Sequence, residues 1–293
     1  MAPMMKNPKL WMIISVITIT VSIAITILVP PVWGVDFVGG SLLEVEGATD
    51  KAQEVQSKLS EALSLAATVQ STQEGTLIIR TPLLDDETHK KVITYLQDQK
   101  YMTGQERSFE SVGPTIGKEL RTKSVYARVL VLIILIVYLA YTFRTVSGFI
   151  TPWKLGVAAI YALVHDLFLV TACFSIFGKL WDVPVDTLFV TAQLAVLGYS
   201  VNDTIVIFDR LRSEWLLARG KGLLEVIDRA LVLTLGRSLN TSLTVMITLV
   251  AVLIFGGTSI RWFIVALTIG VVTGVYSSLF VAPPLLYYLA KRK

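Results

Sequence analysis

The sequence has few of the residues from which metal centres and disulfide frameworks are built. Its one cysteine, Cys173, excludes an intramolecular disulfide and a cysteine-based zinc site. Its two histidines, His89 and His165, are far apart, so we expect no histidine metal centre. Only 16% of its 293 residues are charged, against about 25% in an average soluble domain. Since 54% are hydrophobic and the net charge is only +4, the composition indicates a lipid-facing surface and not nucleic-acid binding.

Six hydrophobic stretches are long enough to cross a bilayer, which takes about 20 residues. Pro30, Pro31 and Trp33 follow the first stretch where a cleavage site would need small residues, so we interpret it as a retained helix and not a signal peptide. The predicted spans are 10–29, 125–143, 155–177, 183–208, 233–256 and 262–289, with 30–124 as a separate domain and 209–232 as a loop.

The basic residues predict the orientation of these spans. Two loops on one side are short and hold only Lys179 and Arg261. The other side holds Lys6, Lys9, Arg144, Lys154, Arg210, Arg212, Arg219, Lys221, Arg229, Lys291, Arg292 and Lys293. By the positive-inside rule, both termini are cytoplasmic and the 30–124 domain is exported.

The exported domain has alternating strand and helix patterns in the order β-α-β-β-α-β, which is typical of a ferredoxin-like sandwich. Asp50 and Gln53 have capping-box spacing for its first helix, and Asp85 or Asp86 begins the second. His89 lies among charged neighbours, so we expect it on a solvated face of a docking domain. The predicted fold class is therefore a membrane all-α bundle of six transmembrane helices with a small α+β ferredoxin-like exported domain.

Ionisable residues inside the spans are the strongest functional signal, because each costs about 2.5–3.5 kcal/mol at mid-helix. We single out Asp166, which follows His165 near the centre of the third span, Asp203 in the fourth and Arg237 in the fifth. A carboxylate that changes its protonation beside a fixed cation can relay protons, so we predict a relay of Asp203 and Arg237 with Asp166. Helical spacing assigns a supporting polar face to Gln193, Ser200, Asn202, Thr204, Asn240, Thr241, Thr244 and Thr248.

Structural interpretations of the same residues stay open. An Asp203–Arg237 pair can simply join two helices, and Arg237 can instead reach the membrane interface. His165 should point to a different face from Asp166. Asp209 and Arg210 are expected to form an interfacial pair, and Gly270-x-x-x-Gly274 predicts a close helix contact.

Five ordered motifs resemble those of one family. They are Gly34–Gly40, Ser111–Gly117, Ala162–Asp166, Gly198–Arg210 and Arg237–Ser242. Together they resemble the SecF family of bacterial protein-translocase subunits, which is related to the resistance–nodulation–division transporters. One departure is Phe208, where many members have serine.

The resemblance implies a partner, a location and an energy source. SecF works with SecD, as a separate or fused chain, in the inner membrane beside the SecYEG channel, and it uses the proton-motive force in late preprotein export. Asp203 matches the family's proton-pathway carboxylate, Arg237 the arginine thought to act with it, and Asp166 a family-typical position. The coupling ion would be the proton, with no other cofactor.

Two other functions compete with an energy-coupling subunit. One is half of a small-molecule exporter of the same superfamily, although complete exporters carry twelve helices in one chain. The other is a scaffold of the translocase in which the Asp203–Arg237 pair is structural. An enzyme is not expected, because the sequence has neither an HExxH motif nor the signatures of paired catalytic aspartates.

Overall fold

A computed structural model describes residues 4–72, 74–144, 150–218 and 220–291. Arg219, Arg292 and Lys293, which contribute to the orientation prediction, lie outside these ranges. The chain forms two compact units. The first comprises Met1–Val32 and Tyr126–Lys293, and the second comprises Trp33–Val125.

The helices and strands are numbered in chain order. The helices are α1 Pro8–Leu28, α2 Val35–Val38, α3 Ala52–Leu63, α4 Asp86–Asp98, α5 Pro114–Thr142, α6 Pro152–Trp181, α7 Thr187–Leu217, α8 Leu223–Phe255, α9 Arg261–Phe280 and α10 Ala282–Lys291. The strands are β1 Val32–Trp33, β2 Gly40–Gly47, β3 Thr68–Ser71, β4 Thr76–Thr81, β5 Met102–Val112 and β6 Pro184–Val185.

Six helical segments of the described ranges are long and apolar enough to span a membrane: α1, α5, α6, α7, α8 and the α9–α10 pair. The prediction of a loop over 209–232 is wrong for most of its length, because α7 continues to Leu217 and α8 begins at Leu223. Likewise, α5 begins at Pro114, well before the predicted 125. Hydropathy detects only the part of a helix that matches the bilayer, so polar helix extensions escape it.

The last span is broken, although the sequence predicts one helix over 262–289. Helix α9 ends at Phe280, and α10 begins two residues later at Ala282. Pro283 and Pro284 have no N–H to donate to the preceding turn, and their rings crowd it. The break therefore follows from the two prolines.

The helices of the membrane unit divide into a central and a peripheral set. About half of the residues in the apolar windows of α6, α7 and α9–α10 are buried, against about a tenth in α1, α5 and α8. Aromatic and branched residues fill the core between the central helices, including Phe143, Phe174, Phe189, Phe208 and Leu163. Polar residues on α6, α7 and α9 therefore meet inside the protein, whereas α8 turns much of its surface outward.

The second unit contains a four-stranded antiparallel sheet with strand order β3-β4-β2-β5. Alternate residues of β2 and β4 pack with residues of α3 and α4 in one core, among them Leu43, Val45, Val55, Leu59, Leu77, Ile79, Val92 and Leu96. Asp85 caps α4 by accepting a hydrogen bond from the Thr88 amide at 2.8 Å. The capping prediction for Asp50 is wrong, since this residue lies in a 3₁₀ turn and α3 has no side-chain cap.

Two of the sequence motifs meet inside this unit. Gly39 has a φ of +85°, and a Cβ atom on it would lie 2.7 Å from the Pro114 Cα atom. Gly40 has a φ of +139°, and its Cβ would lie 2.6 Å from the Thr81 carbonyl oxygen. Only glycine combines these backbone angles with such close approaches. The Gly34–Gly40 and Ser111–Gly117 motifs thus form one packed turn at the start of α5.

His89 is not on a solvated face, so this expectation is wrong. Its Nε2 atom lies 3.0 Å from the Glu106 Oε1 atom on β5, and its ring stacks on Phe109 with a centroid distance of 3.9 Å. The expectation relied on the charged neighbours of His89 along α4. They carry no information about β5, which packs against this side of the helix.

Candidate functional site

Asp203 lies on α7 against α8 and is only 9% exposed. Its Oδ1 atom accepts a hydrogen bond from the Ser238 hydroxyl at 2.6 Å. Its Oδ2 atom is buried and has no hydrogen-bond partner within the described ranges. A buried carboxyl oxygen without a partner is costly in a fold. Asp203 is therefore a group that the packing of this chain leaves unsatisfied.

Arg237 does not pair with this carboxyl group. Ser238, the next residue of α8, donates a hydrogen bond to Asp203, so α7 and α8 are adjacent at the level that the sequence predicts. The Arg237 side chain itself is exposed. No ion pair within 4.0 Å joins Arg237 to Asp203 in the part of the chain that the structure describes. The expectation that Asp203 faces Arg237 directly is corrected: Ser238, one residue further along, takes that position. Helix rotation of about 100° per residue separates the two side chains.

The polar stripe of α8 faces outward. Its members are all exposed: Arg237, Asn240, Thr241, Thr244 and Thr248. The three threonine hydroxyls donate to carbonyl oxygens one turn earlier in the same helix, at 2.8–3.1 Å. Ser238 and Ser242 lie on the buried face instead. The stripe therefore does not line the interior of this six-helix unit.

Asp166 is the centre of a second, fully buried polar network. Its Oδ2 atom accepts hydrogen bonds from Ser200 at 2.8 Å and Ser277 at 2.7 Å. Its Oδ1 atom lies 3.3 Å from the His165 Nδ1 atom. The His165 Nε2 atom lies 2.8 Å from the Thr18 hydroxyl on α1. The network thus ties α1, α6, α7 and α9 together, and the expectation that His165 points away from Asp166 is wrong.

The supporting polar residues on α7 do not share one environment. Ser200 binds Asp166, and Thr204 lies 2.8 Å from the Ser278 hydroxyl of α9. Gln193 donates to Thr171 at 2.8 Å and accepts from Arg128 at 3.1 Å. Asn202 is exposed. Within the described ranges, none of these side chains forms a hydrogen bond with Asp203, so their supporting role toward it stays a prediction.

The partners of Asp203, Asp166, His165 and Thr204 that sequence reasoning missed are small hydroxyl residues: Ser238, Ser277, Thr18 and Ser278. A signal for the α9 serines was present. Gly270, Gly274 and Ser277 follow each other at helical spacing, and a Cβ on Gly274 would lie 3.1 Å from the Ser200 Cβ. This stripe lets α9 approach α7 closely, which brings Ser277 to Asp166.

Gly270→Ala is expected to lower stability by about 1–3 kcal/mol, because the added methyl overlaps the Val196 side chain on α7. Gly198→Ala is the matched control, since it lies on α7 with nothing within 4 Å of the added atom. The control should be neutral or slightly stabilising through helix propensity. Thermal unfolding in detergent measures both, and equal midpoints for the two variants would contradict the close α7–α9 contact.

Near the C-terminal end of α7, the buried carboxylate of Glu214 pairs with two partly exposed arginines. Glu214 is 2% exposed and binds Arg210 at 2.8 Å and Arg229 on α8 at 2.7 Å. The prediction of an Asp209–Arg210 pair is wrong, because one helical turn brings Arg210 to Glu214 instead.

Glu214→Gln is expected to lower stability by about 1–2 kcal/mol, because it removes the negative charge that pairs with Arg210 and Arg229. The loss is moderate, since both arginines are partly exposed and solvent screens their charges. Glu225→Gln is the control, because its pair with Lys221 is exposed and should contribute under about 1 kcal/mol. Thermal midpoints compared at low and high salt test this, and equal losses for both variants would contradict the structural role of Glu214.

These features define a multi-pass membrane protein with two separate carboxyl sites inside its helices. The family described as "Protein export membrane protein SecD/SecF, C-terminal" matches residues 91–292. The chain belongs to the SecD/SecF family of protein-export membrane proteins, and the predicted family is confirmed.

Curated relatives are similar over most of the chain. The protein translocase subunit SecF of Thermobaculum terrenum is 39% identical, with 86% of this chain and 83% of the relative covered. SecF of Haemophilus influenzae is 33% identical, with 99% and 86% covered. The protein translocase subunit SecDF of Bacillus subtilis is 37% identical over 85% of this chain, which spans only 33% of that relative.

Solved structures show the same fold. The crystal structure of SecDF from Thermus thermophilus, described as a translocon-associated membrane protein, superposes with a TM-score of 0.85 at 26% identity. A SecDF structure in a super-membrane-facing form superposes with a TM-score of 0.70 at 26% identity. Each match covers 97% of this chain, which spans 38% of the solved chain.

Proposed function

We propose that this chain is a SecF-type subunit that couples the proton-motive force to late steps of preprotein export through the Sec channel. The observation that carries the proposal is the buried Asp203 carboxyl group, which has one oxygen without a partner beside the outward-facing stripe that begins at Arg237. A proton can occupy and leave such an oxygen without breaking the hydrogen bond from Ser238. Asp203 is the proposed proton-binding group, and the exposed Arg237 is the cation proposed to act with it where the proton path leaves this chain.

The outward stripe of α8 supports a SecD partner. An exposed arginine and asparagine in a membrane helix are costly unless another helix or water meets them. The relatives named SecDF are single chains of which this chain spans about a third, so the remainder of each could supply that surface. We infer that a SecD-type chain, fused or separate, covers Arg237 and Asn240 and completes the proton path. We propose the Sec channel and the preprotein as further partners, because the relatives are named protein translocase subunits.

The location and the exported domain are inferred similarly. The basic residues support an inner-membrane protein with both termini in the cytoplasm. The antiparallel sheet order β3-β4-β2-β5 supports a ferredoxin-like docking domain. The subunit would catalyse no bond chemistry and bind no cofactor besides the coupling proton.

Preprotein translocation into membrane vesicles tests the coupling role. Vesicles with the Sec channel and a SecD partner are prepared with and without this chain, and each is assayed with the gradient intact or dissipated by an uncoupler. We expect the chain to increase translocation only when the gradient is intact. An increase that survives the uncoupler would indicate a scaffold, and gradient-driven efflux of a small molecule without any effect on translocation would indicate an exporter half.

A further inference from the structure

A groove of about 430 Å³ lies on the outer surface of the membrane unit between α1 and α10. Its walls are Lys9, Met12, Ile13, Val16 and Ile17 of α1 and Tyr288 of α10. The α1 residues follow the i, i+3, i+4, i+7, i+8 spacing of one helix face. The volume lies within the range of about 300–1,000 Å³ of small-molecule sites. The groove is therefore large enough for part of a lipid and not only a gap between side chains.

The polar groups of the groove are concentrated at one end. Lys9 is the second residue of α1, and Tyr288 lies in the last turn of α10. Lys291 follows Tyr288 by three residues, which places it on the same face of α10. Lysine and tyrosine at the ends of membrane helices lie at headgroup level. The surface of the groove is thus almost wholly apolar, and the Lys9 ammonium group and the Tyr288 hydroxyl group lie beside one end of it.

Within the described ranges, no acidic side chain pairs with the lysine at this end of the groove. No acidic residue lines the groove, and Lys9 forms no ion pair in the ranges 4–72, 74–144, 150–218 and 220–291. A ligand that matches both ends needs an anionic head and an apolar tail. A zwitterionic lipid carries its own ammonium group beside the phosphate and gains less from Lys9.

We propose that this groove is a specific site for an anionic phospholipid of the phosphatidylglycerol type. One acyl chain lies along Met12, Val16 and Ile17, and the phosphate binds the Lys9 ammonium group and the Tyr288 hydroxyl group. Lys291 contributes a second positive charge. The site is remote in sequence from Asp203 and Arg237, and its occupation does not depend on the proposed coupling role.

Photo-crosslinking tests the site. The full chain is reconstituted in phosphatidylcholine vesicles with a trace of photoreactive phosphatidylglycerol or photoreactive phosphatidylcholine, and labelled peptides are mapped by mass spectrometry. Phosphatidylglycerol should label α1 and α10 several-fold more than phosphatidylcholine. Lys9→Gln should reduce this labelling about fivefold, which corresponds to one lysine at an anionic surface. Lys179→Gln, an exposed lysine of α6, should have no effect.

A second pair of variants separates groove binding from surface charge. Val16→Trp fills the groove and should abolish labelling by phosphatidylglycerol. Val129→Trp, at an equally exposed valine of α5, should leave it unchanged. Thermal midpoints establish that all variants are folded. Equal labelling by both lipids, or no effect of Lys9→Gln in a folded protein, would overturn the proposal. Loss of labelling when a SecD partner is present would overturn it too, because the groove would then hold a protein helix.

Discussion

Asp203→Asn is expected to eliminate the gradient-dependent part of preprotein export while the protein folds normally. The amide keeps the shape of the carboxyl group, and its oxygen can still accept from Ser238. It cannot bind and release a proton. One charge moving through 100 mV supplies about 2.3 kcal/mol, so a cycle without the proton loses about a 50-fold bias between its conformations. Vesicle translocation with intact and dissipated gradients measures the loss.

Two control variants show whether the carboxyl group itself is responsible. Asp209→Asn changes an exposed carboxylate on the same helix and should leave export unchanged. Ser238→Ala removes the hydrogen bond but keeps the carboxyl group, so it should weaken coupling without abolishing it. If Asp203→Asn retains gradient-dependent export at native expression, the relay is wrong and Asp203 is a structural residue of a scaffold.

Asp166→Ala is expected to cause the largest loss of stability, about 3–5 kcal/mol. The change removes an acceptor shared by Ser200 and Ser277 and leaves the buried His165 without its neighbour. Each buried polar group left without a partner costs about 1–3 kcal/mol. Thermal unfolding and the amount of folded protein in membranes measure the effect. Asn202→Ala, at an exposed position of α7, should change the midpoint little.

Asp166→Asn separates the structural role of this residue from a role in the relay. The amide preserves part of the network but cannot change its protonation. If Asp166 only holds the helices together, export should fall in proportion to stability and keep its gradient dependence. If Asp166→Asn is stable and loses gradient dependence as Asp203→Asn does, then Asp166 belongs to the relay.

The sequence predicts the close helix contact at Gly270 and the importance of the two buried carboxyl groups, but it does not predict which residues they contact. Gly270-x-x-x-Gly274 predicts a close contact, and the structure identifies the partner as α7. Asp166 and Asp203 stand out because a charge in hydrocarbon is costly wherever the helix packs. Their hydrogen-bond partners did not stand out, since serine and threonine occur on many membrane-helix faces without such a role.

The amino-acid sequence by itself determined the six hydrophobic spans, their order and which ionisable residues lie within them. Each of these depends on the hydropathy or chemistry of residues close together in the chain. Only the tertiary structure decided that Ser200 binds Asp166, that Ser238 and not Arg237 binds Asp203, and that the stripe of α8 faces outward. These outcomes depend on the rotation of each helix against its neighbours. Successive side chains differ by about 100° around the axis, so a shift of one residue changes the partner.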